Sequence, residues 1–295
     1  MSTLFLNQNT RAIVQGITGK VGQAQTHWML KAGTSLVAGV TPGRSGQVVE
    51  GLPVYGSVAE SVSAQGANAS VSFVPATSAR EAAFEAIQAG LELVVIVTEH
   101  IPIRDTMEIK AASRLSGTVV IGPNCPGIFI PGAGKLGIMP QSIFRQGHIG
   151  VVGRSATLSY EVIANLSDSG FGQSAAIGVG GDPVICTEFS DVLRIFEADE
   201  NTHGVVLVGE IGGSGEERAA EYIASMTKPV VALIAGRAVP PGRRFGHAGA
   251  IIRAGSGGAQ QKIDVLRQAG AAIARSPVEI PALLSERLKD VALVG

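Results

Sequence analysis

The stretch "RRFGHAGAII" at 243–252 sets one histidine, His247, among glycines and alanines, with Arg243 and Arg244 just upstream and an isoleucine pair just downstream. Neighbours this small leave an imidazole accessible and its backbone free to move, whereas a packing histidine is enclosed by apolar side chains. The ring then has four possible uses: metal ligand, acid/base group, covalent phosphate carrier or buried filler. Metal binding has little support, because no second His, Cys or paired carboxylate lies at ligand spacing nearby. A phosphate carrier needs a nucleophilic ring nitrogen, a carboxylate that orients the other nitrogen, and positive dipoles around the phosphate. The chain offers candidates for each. "VVLVGEIGG" ends an apolar strand in Glu210, and "VVGRSATLSYE" leads through small residues into a helix whose N–H groups near Ser155, Ala156 and Thr157 would face an anion. Each also has a plainer reading: Glu210 as a helix-start carboxylate, Ser155 as an N-cap, Tyr160 as a helix-face aromatic.

A second constellation lies near the start. "VQGITGKVGQ" places Gly16, Gly19 and Gly22 between a strand and a helix, a turn that lets backbone N–H groups approach a phosphate. A dinucleotide site expects Gly at position 18, which is Thr18 here, and an acid about 20 residues on. The end of the second strand instead reads "GVTPGRSG", with Arg44 and no acid. A cation there suits a phosphate rather than a ribose diol, which counts against NAD and leaves NADP or coenzyme A. A tight βα turn with no ligand stays open on the glycines alone.

These residues need a scaffold, and the composition supplies one. The chain has 295 residues, 45% hydrophobic, 16% charged and only 4% aromatic, with 39 glycines. That mix suits buried parallel strands covered by helices, and the length suits two domains. A net charge of −1 argues against a broad basic surface for nucleic acid or membrane. Two cysteines, Cys125 and Cys186, make neither a disulfide framework nor a four-sulfur zinc site. With no signal-like N-terminus and no spanning apolar run, the expectation is a soluble cytoplasmic protein.

Strand-like and helix-like runs alternate through the first 125 residues, with helices expected at 20–32, 78–90 and 104–116, so a doubly wound parallel sheet is expected there. Residues 126–147, rich in Pro and Gly without a period, read as a connection. A second strand–turn–helix series begins at 148 and runs to 295.

The segments "NTRAIVQGITG", "GVTPG", "GLPVY", "VTEHIP", "IGPNCPG", "GRSATLSYE", "GFGQS", "GVGGDP", "GEIGG", "KPVVALIAG" and "GHAGAII" occur in order along nearly the whole chain. Together they resemble the α subunit of the succinyl-CoA synthetase family (succinate–CoA ligase, nucleoside diphosphate-forming), or a close acid–thiol ligase relative. The resemblance implies an α/β chain: an N-terminal Rossmann-like CoA-binding domain at 1–125, then a flavodoxin-like α/β ligase domain at 148–295 carrying a phosphohistidine loop. It implies that His247 is phosphorylated and that Glu210 steadies its ring. Ser155, Ala156 and Thr157 would stabilise the phosphate, and Tyr160 would bind substrate at the subunit contact. CoA contacts would fall on Thr18, Gly19, Lys20, Val21, Arg44, Val97, Thr98 and Glu99. Cys125, in the loop expected near the thiol, is read as structural. The implied partner is an ATP-grasp β subunit, in an αβ or α2β2 assembly, that binds ATP or GTP with Mg2+. The implied substrate is a small carboxylic acid, succinate before malate or citrate.

Three departures stand out. The family usually has Lys where this chain has Arg44; "EGIP" reads "EHIP", introducing His100; and "SRSGTL" reads "GRSATL", introducing Gly153 and Ala156. The last either repacks locally or marks a different acid. Two rival classes follow from the same residues: an NADP-dependent oxidoreductase from the glycine turn and Arg44, and a non-catalytic CoA-binding protein from the altered "GRSA" turn.

Overall fold

The computed structural model describes residues 5–238, 246–251 and 257–292. Arg243, Arg244 and Ile252 of the histidine segment lie outside the described residues. The chain forms two compact units, Phe5–Met139 with Val184–Thr187, and Pro140–Pro183 with the described residues from Glu188 on.

The first unit runs β1 (Ala12–Gln15), α1 (Lys20–Lys31), β2 (Leu36–Val40), β3 (Val48–Val49), β4 (Leu52–Tyr55), α2 (Val58–Gln65), β5 (Ala69–Ser72), α3 (Ala76–Gln88), β6 (Leu93–Ile96), α4 (Ile103–Ser116) and β7 (Val119–Ile121). Its strands lie in the order β3-β4-β2-β1-β5-β6-β7. All neighbours are parallel except the β3–β4 edge hairpin. Leaving β3 aside, this is the Rossmann order 3-2-1-4-5-6, whose direction reverses between β1 and β5. The strands β1, β5 and β6 are buried at every position, because helices cover both faces. The helix ends follow the sequence: α2 starts at Ser57, whose hydroxyl accepts the Glu60 N–H at 3.2 Å, and stops at Gly66 in the left-handed region.

Where the sequence shows Pro and Gly without a period, the structure pairs β8 (Gly127–Ile130) with β9 (Gly134–Gly137) as an antiparallel hairpin. Every residue of both strands is buried, which removes the alternation that marks a strand in sequence. The hairpin is tied to the loop after α1 by Thr34, whose hydroxyl donates to the Lys135 carbonyl at 2.8 Å and accepts the Lys135 N–H at 2.9 Å.

The second unit runs β10 (Gln146–Gly153), α5 (Ala156–Asp168), β11 (Gln173–Gly178), α6 (Phe189–Ala198), β12 (Gly204–Glu210), α7 (Gly215–Ile223), β13 (Val230–Ala235), α8 (Ala259–Gln268), β14 (Ala272–Ala274) and α9 (Ile280–Ala292). Its parallel strands lie in the order β14-β13-β12-β10-β11, the flavodoxin-like arrangement, with the direction reversing between β10 and β12. The helix α6 shows how each face is specified: Phe189, Val192, Leu193 and Phe196 recur at helical spacing and are the buried ones. Both sheets thus have the expected α/β topologies, and each has one switch point where ligands gather at the carboxyl ends of the strands.

Candidate active site

At the switch point of the second sheet, register places Gly153 of β10 opposite Val208 of β12. Arg154, the first residue past β10, and Glu210, the last residue of β12, therefore meet. Glu210 ends β12 with a side chain 8% exposed, and its Oε2 lies 2.8 Å from His247 Nδ1. A carboxylate only accepts, so Nδ1–H donates, and the proton is thereby fixed on that nitrogen. In the neutral ring Nε2 then carries the free lone pair, on a side chain 27% exposed. The hydrogen bond to Glu210 raises the His247 pKa above its ordinary value, against the opposing pull of burial.

Arg154, 6% exposed, holds the other carboxylate oxygen: its Nε lies 3.3 Å from Glu210 Oε1. The guanidinium N–H groups point to the carbonyls of Gly180, at 3.3 Å, and Asp182, at 3.2 Å. Arg154 thus meets Oε1 as a charge rather than through an aligned hydrogen bond, and Oε1 has no hydrogen-bond partner among the described residues. The ring is seated by close approach of main chain. A Cβ at Gly181 would lie 2.4 Å from His247 Cγ, and the Gly249 N–H donates to the Gly181 carbonyl at 3.1 Å.

The helix α5 leaves the same turn one residue after Arg154. Ser155 is its N-cap, the hydroxyl accepting the Leu158 N–H at 3.3 Å, so that hydroxyl is already engaged. Ala156 and Thr157 open the helix, where main-chain N–H groups have no intrahelical partners. Tyr160 is half-buried a turn further along α5. Gly153 has a packing explanation: a Cβ there would sit 2.2 Å from Ser159 Oγ, so Ser159 fills the space a side chain would take.

In the first unit, the switch point between β1 and β5 opens a cavity of about 820 Å³. Thr18, Gly19, Lys20 and Val21 line it from the turn and the start of α1, facing Phe73, Val74 and Pro75 beyond β5. The turn depends on absent side chains: Gly16 has φ +81°, and a Cβ on Gly22 would lie 2.2 Å from the Gly16 carbonyl oxygen. Thr18 is steadied by Thr41, hydroxyl to hydroxyl at 3.2 Å. Arg44, Val97, Thr98 and Glu99 are not in this lining. Arg44 is exposed on the turn after β2, and Thr98 donates its hydroxyl proton to the Val74 carbonyl at 2.7 Å. His100 is exposed, 3.6 Å from Glu99, and has φ 64°. A cleft of this size, with a glycine turn at a helix start and one lysine, fits a phosphate-bearing ligand such as coenzyme A. Cys125 is buried with Sγ 3.2 Å from the Ile96 carbonyl, and burial pushes the Cys186 thiol up to about 12, so neither is poised as a nucleophile. Among the described residues, no three His, Cys, Asp or Glu side chains gather as a metal site.

Sequence reasoning missed Arg154 and the buried pair behind Glu210, Glu216 and Lys262. Arg154 stood inside a quoted motif, and an arginine just past a strand was the available signal; its burial was not visible.

Two α/β units, one with a glycine-turn cleft and one with a carboxylate-supported histidine, define a CoA ligase chain. A CoA binding domain family matches residues 7–100 and a CoA-ligase family matches residues 152–272. The chain is 54% identical over 277 residues to the succinate–CoA ligase [ADP-forming] subunit alpha of Methanothermobacter thermautotrophicus, covering 94% of each. It is 48% identical over 292 residues to the protein of that name in Staphylococcus aureus, covering 99% of this chain and 97% of the other. It belongs to the family of succinate–CoA ligase alpha subunits. Among solved structures, ATP citrate lyase from Methanothrix soehngenii in complex with citrate and coenzyme A superposes with a TM-score of 0.89 at 26% identity. All of this chain is covered there, and it spans 52% of that longer chain. Membership sets aside the oxidoreductase alternative. No helix among the described residues is long and apolar enough to cross a membrane.

Proposed function

We propose that this chain is the phosphoryl-carrying half of a heteromeric ligase that joins succinate to coenzyme A in the cytoplasm. The observation that carries the reading is the His247 Nδ1–Glu210 Oε2 contact of 2.8 Å at the switch point of the second sheet. In the neutral ring it puts the proton on Nδ1 and leaves the Nε2 lone pair free, as an acceptor of a phosphoryl group requires.

In the proposed cycle, Nε2 of His247 attacks the γ-phosphorus of ATP or GTP, held with Mg2+ on an ATP-grasp β subunit, and the nucleoside diphosphate leaves. A succinate carboxylate oxygen then attacks the same phosphorus, giving an acyl phosphate and free imidazole. The thiol of coenzyme A supplies the nucleophile for the acyl carbon, and inorganic phosphate leaves. Glu210 holds the ring and balances its charge in each phosphorylated state, and Arg154 holds Glu210. The first turn of α5, at Ser155, Ala156 and Thr157, offers N–H groups and the positive end of its dipole to the phosphate. Tyr160 contributes to the acid site. Thr18, Gly19, Lys20 and Val21 hold coenzyme A in the first-unit cleft, with Arg44, Val97, Thr98 and Glu99 contacting parts of the ligand beyond it. Small residues on both sides of His247 let the loop serve two stations in turn.

The test is direct. The chain is assembled with its partner subunit and given labelled ATP, and acid-labile, base-stable phosphate is sought on His247. Small mono-, di- and tricarboxylates are then screened for CoA-dependent phosphate release. Succinate should give the highest kcat/KM; release with malate or citrate but not succinate would reassign the acid. Unlabelled His247 in the intact assembly would favour the non-catalytic CoA-binding alternative.

A further inference from the structure

Behind the histidine site lies a set of charges that the cycle above does not use. Glu216 of α7 and Lys262 of α8 both have side chains at 0% exposure. Lys262 Nζ donates to Glu216 Oε2 and, at 3.1 Å, to Glu217 Oε2. The other oxygen of Glu216, Oε1, accepts the main-chain N–H of Glu210 at 3.0 Å. The side chain is pressed against the strand end: a Cβ on Gly209 would come within 2.8 Å of Glu216 Cγ.

The lysine end of the pair reaches a second place that matters. Lys262 lies in the first turn of α8, and its N–H donates to the carbonyl of Gly258, the N-cap of that helix. Gly257, one residue earlier, accepts the N–H of Gly212 at 2.8 Å, just beyond Glu210. One ion pair therefore joins the strand end that carries the carboxylate to the helix that takes up the chain after the histidine segment.

Stability alone does not explain burying a lysine here. Desolvation of two charges offsets most of their attraction, and apolar replacement of a buried pair is often neutral or stabilising. A directed contact to one main-chain N–H does something an apolar pair cannot: it fixes where Glu210 points.

We propose that Glu216 and Lys262 are positioning residues for phosphoryl transfer, holding the Glu210 main chain in register with the C-terminal root of the His247 segment. The proposal rests on the role given to His247 above and adds the device that keeps its partner in place.

Two double variants of the full chain separate positioning from mere support. Glu216→Gln with Lys262→Met deletes both charges but keeps an acceptor for the Glu210 N–H. Glu216→Leu with Lys262→Met deletes the acceptor too. Each is assembled with the partner subunit for the rate of His247 phosphorylation from labelled ATP. Each is also titrated alone by NMR of the His247 imidazole and melted for Tm. The Leu/Met variant should lose about a hundredfold in rate, and its imidazole should titrate nearer the ordinary histidine value. The Gln/Met variant should keep most of the rate and most of the raised titration at a similar Tm. The proposal is overturned if the Leu/Met variant matches the wild type in rate and titration. It is equally overturned if both variants lose rate only in step with Tm while the imidazole titrates as in the wild type. Absence of phosphate on wild-type His247 would sink the functional reading instead, and the imidazole titration would still judge the geometry.

Discussion

The two switch-point crevices of this chain solve different problems with different materials. The first is wide and built from main chain: a glycine turn, a helix start, and side chains such as Val21 and Lys20 that are exposed. The second is built from charges kept out of water, with Arg154 and Glu210 side chains 6% and 8% exposed and Lys262 and Glu216 fully buried. A large flexible ligand is held by shape and many weak contacts, so its site tolerates solvent. Chemistry at one nitrogen needs one proton position and one ring orientation, and buried charges enforce both because their fields are unscreened. Two different doubly wound strand orders thus each present a crevice at a switch point, and under the proposed function one serves binding and the other group transfer.

That division can be broken or sharpened by experiment. The largest effect is expected from His247→Asn. Thioester synthesis in the assembled enzyme should fall to background, while coenzyme A affinity, measured by calorimetry, stays unchanged and the partner still associates. Undiminished turnover would end the assignment. Glu210→Gln comes next: phosphorylation should slow about a hundredfold, because the neutral amide cannot balance the charge on the ring and, able to donate as well as accept, does not hold it to one tautomer. Leaving the Arg154 guanidinium buried without its counter-charge should also lower stability by about 3 kcal/mol in denaturant melts.

Two alanine substitutions make the contrast symmetrical. Gly181→Ala puts a Cβ 2.4 Å from the His247 ring, and Gly22→Ala puts one 2.2 Å from the Gly16 carbonyl oxygen. Each should destabilise by about 1–3 kcal/mol. Only the first should abolish phosphohistidine with coenzyme A binding intact, and only the second should abolish coenzyme A binding with phosphohistidine intact. Loss of both functions in either variant would show that the crevices do not act separately.

A smaller effect concerns pH. The Glu210 hydrogen bond raises the His247 pKa in the folded chain. The stability it lends is therefore fully present below the unfolded histidine value of about 6.5 and is lost as pH rises through the folded value. The Tm advantage of wild type over His247→Asn should be greatest in acid and close with rising pH. Phosphorylation should run the other way, rising as the ring gives up its second proton. The smallest effect is expected at Arg44→Ala, an exposed charge: coenzyme A affinity should drop by less than about tenfold, and the loss should shrink with added salt.

Much of the scaffold was legible in advance. The helices expected at 20–32 and 104–116 are observed as Lys20–Lys31 and Ile103–Ser116, since a glycine turn precedes the first and Gly117 stops the second. The hairpin of β8 and β9 was not legible, because strands buried on both faces lose their alternation and these are full of glycine. The β3–β4 edge and α2 were missed for a related reason: "GLPVYGSVAESVSAQ" holds a proline and short apolar runs that match no period.

By itself the sequence determined the two α/β sheets and the glycine turn and offered His247 and Glu210 as candidates, whose pairing only the family resemblance implied. Those depend on local periodicity and on residue types at strand ends, which the chain carries in plain order. Only the tertiary structure decided which charges meet. Arg154, Asp182, Glu210, Glu216, His247 and Lys262 come from separate strands, helices and loops, and strand register and burial bring them together. No spacing along the chain encodes that a lysine will be wholly buried, or that its partner will grip the main chain of the residue that steadies the ring.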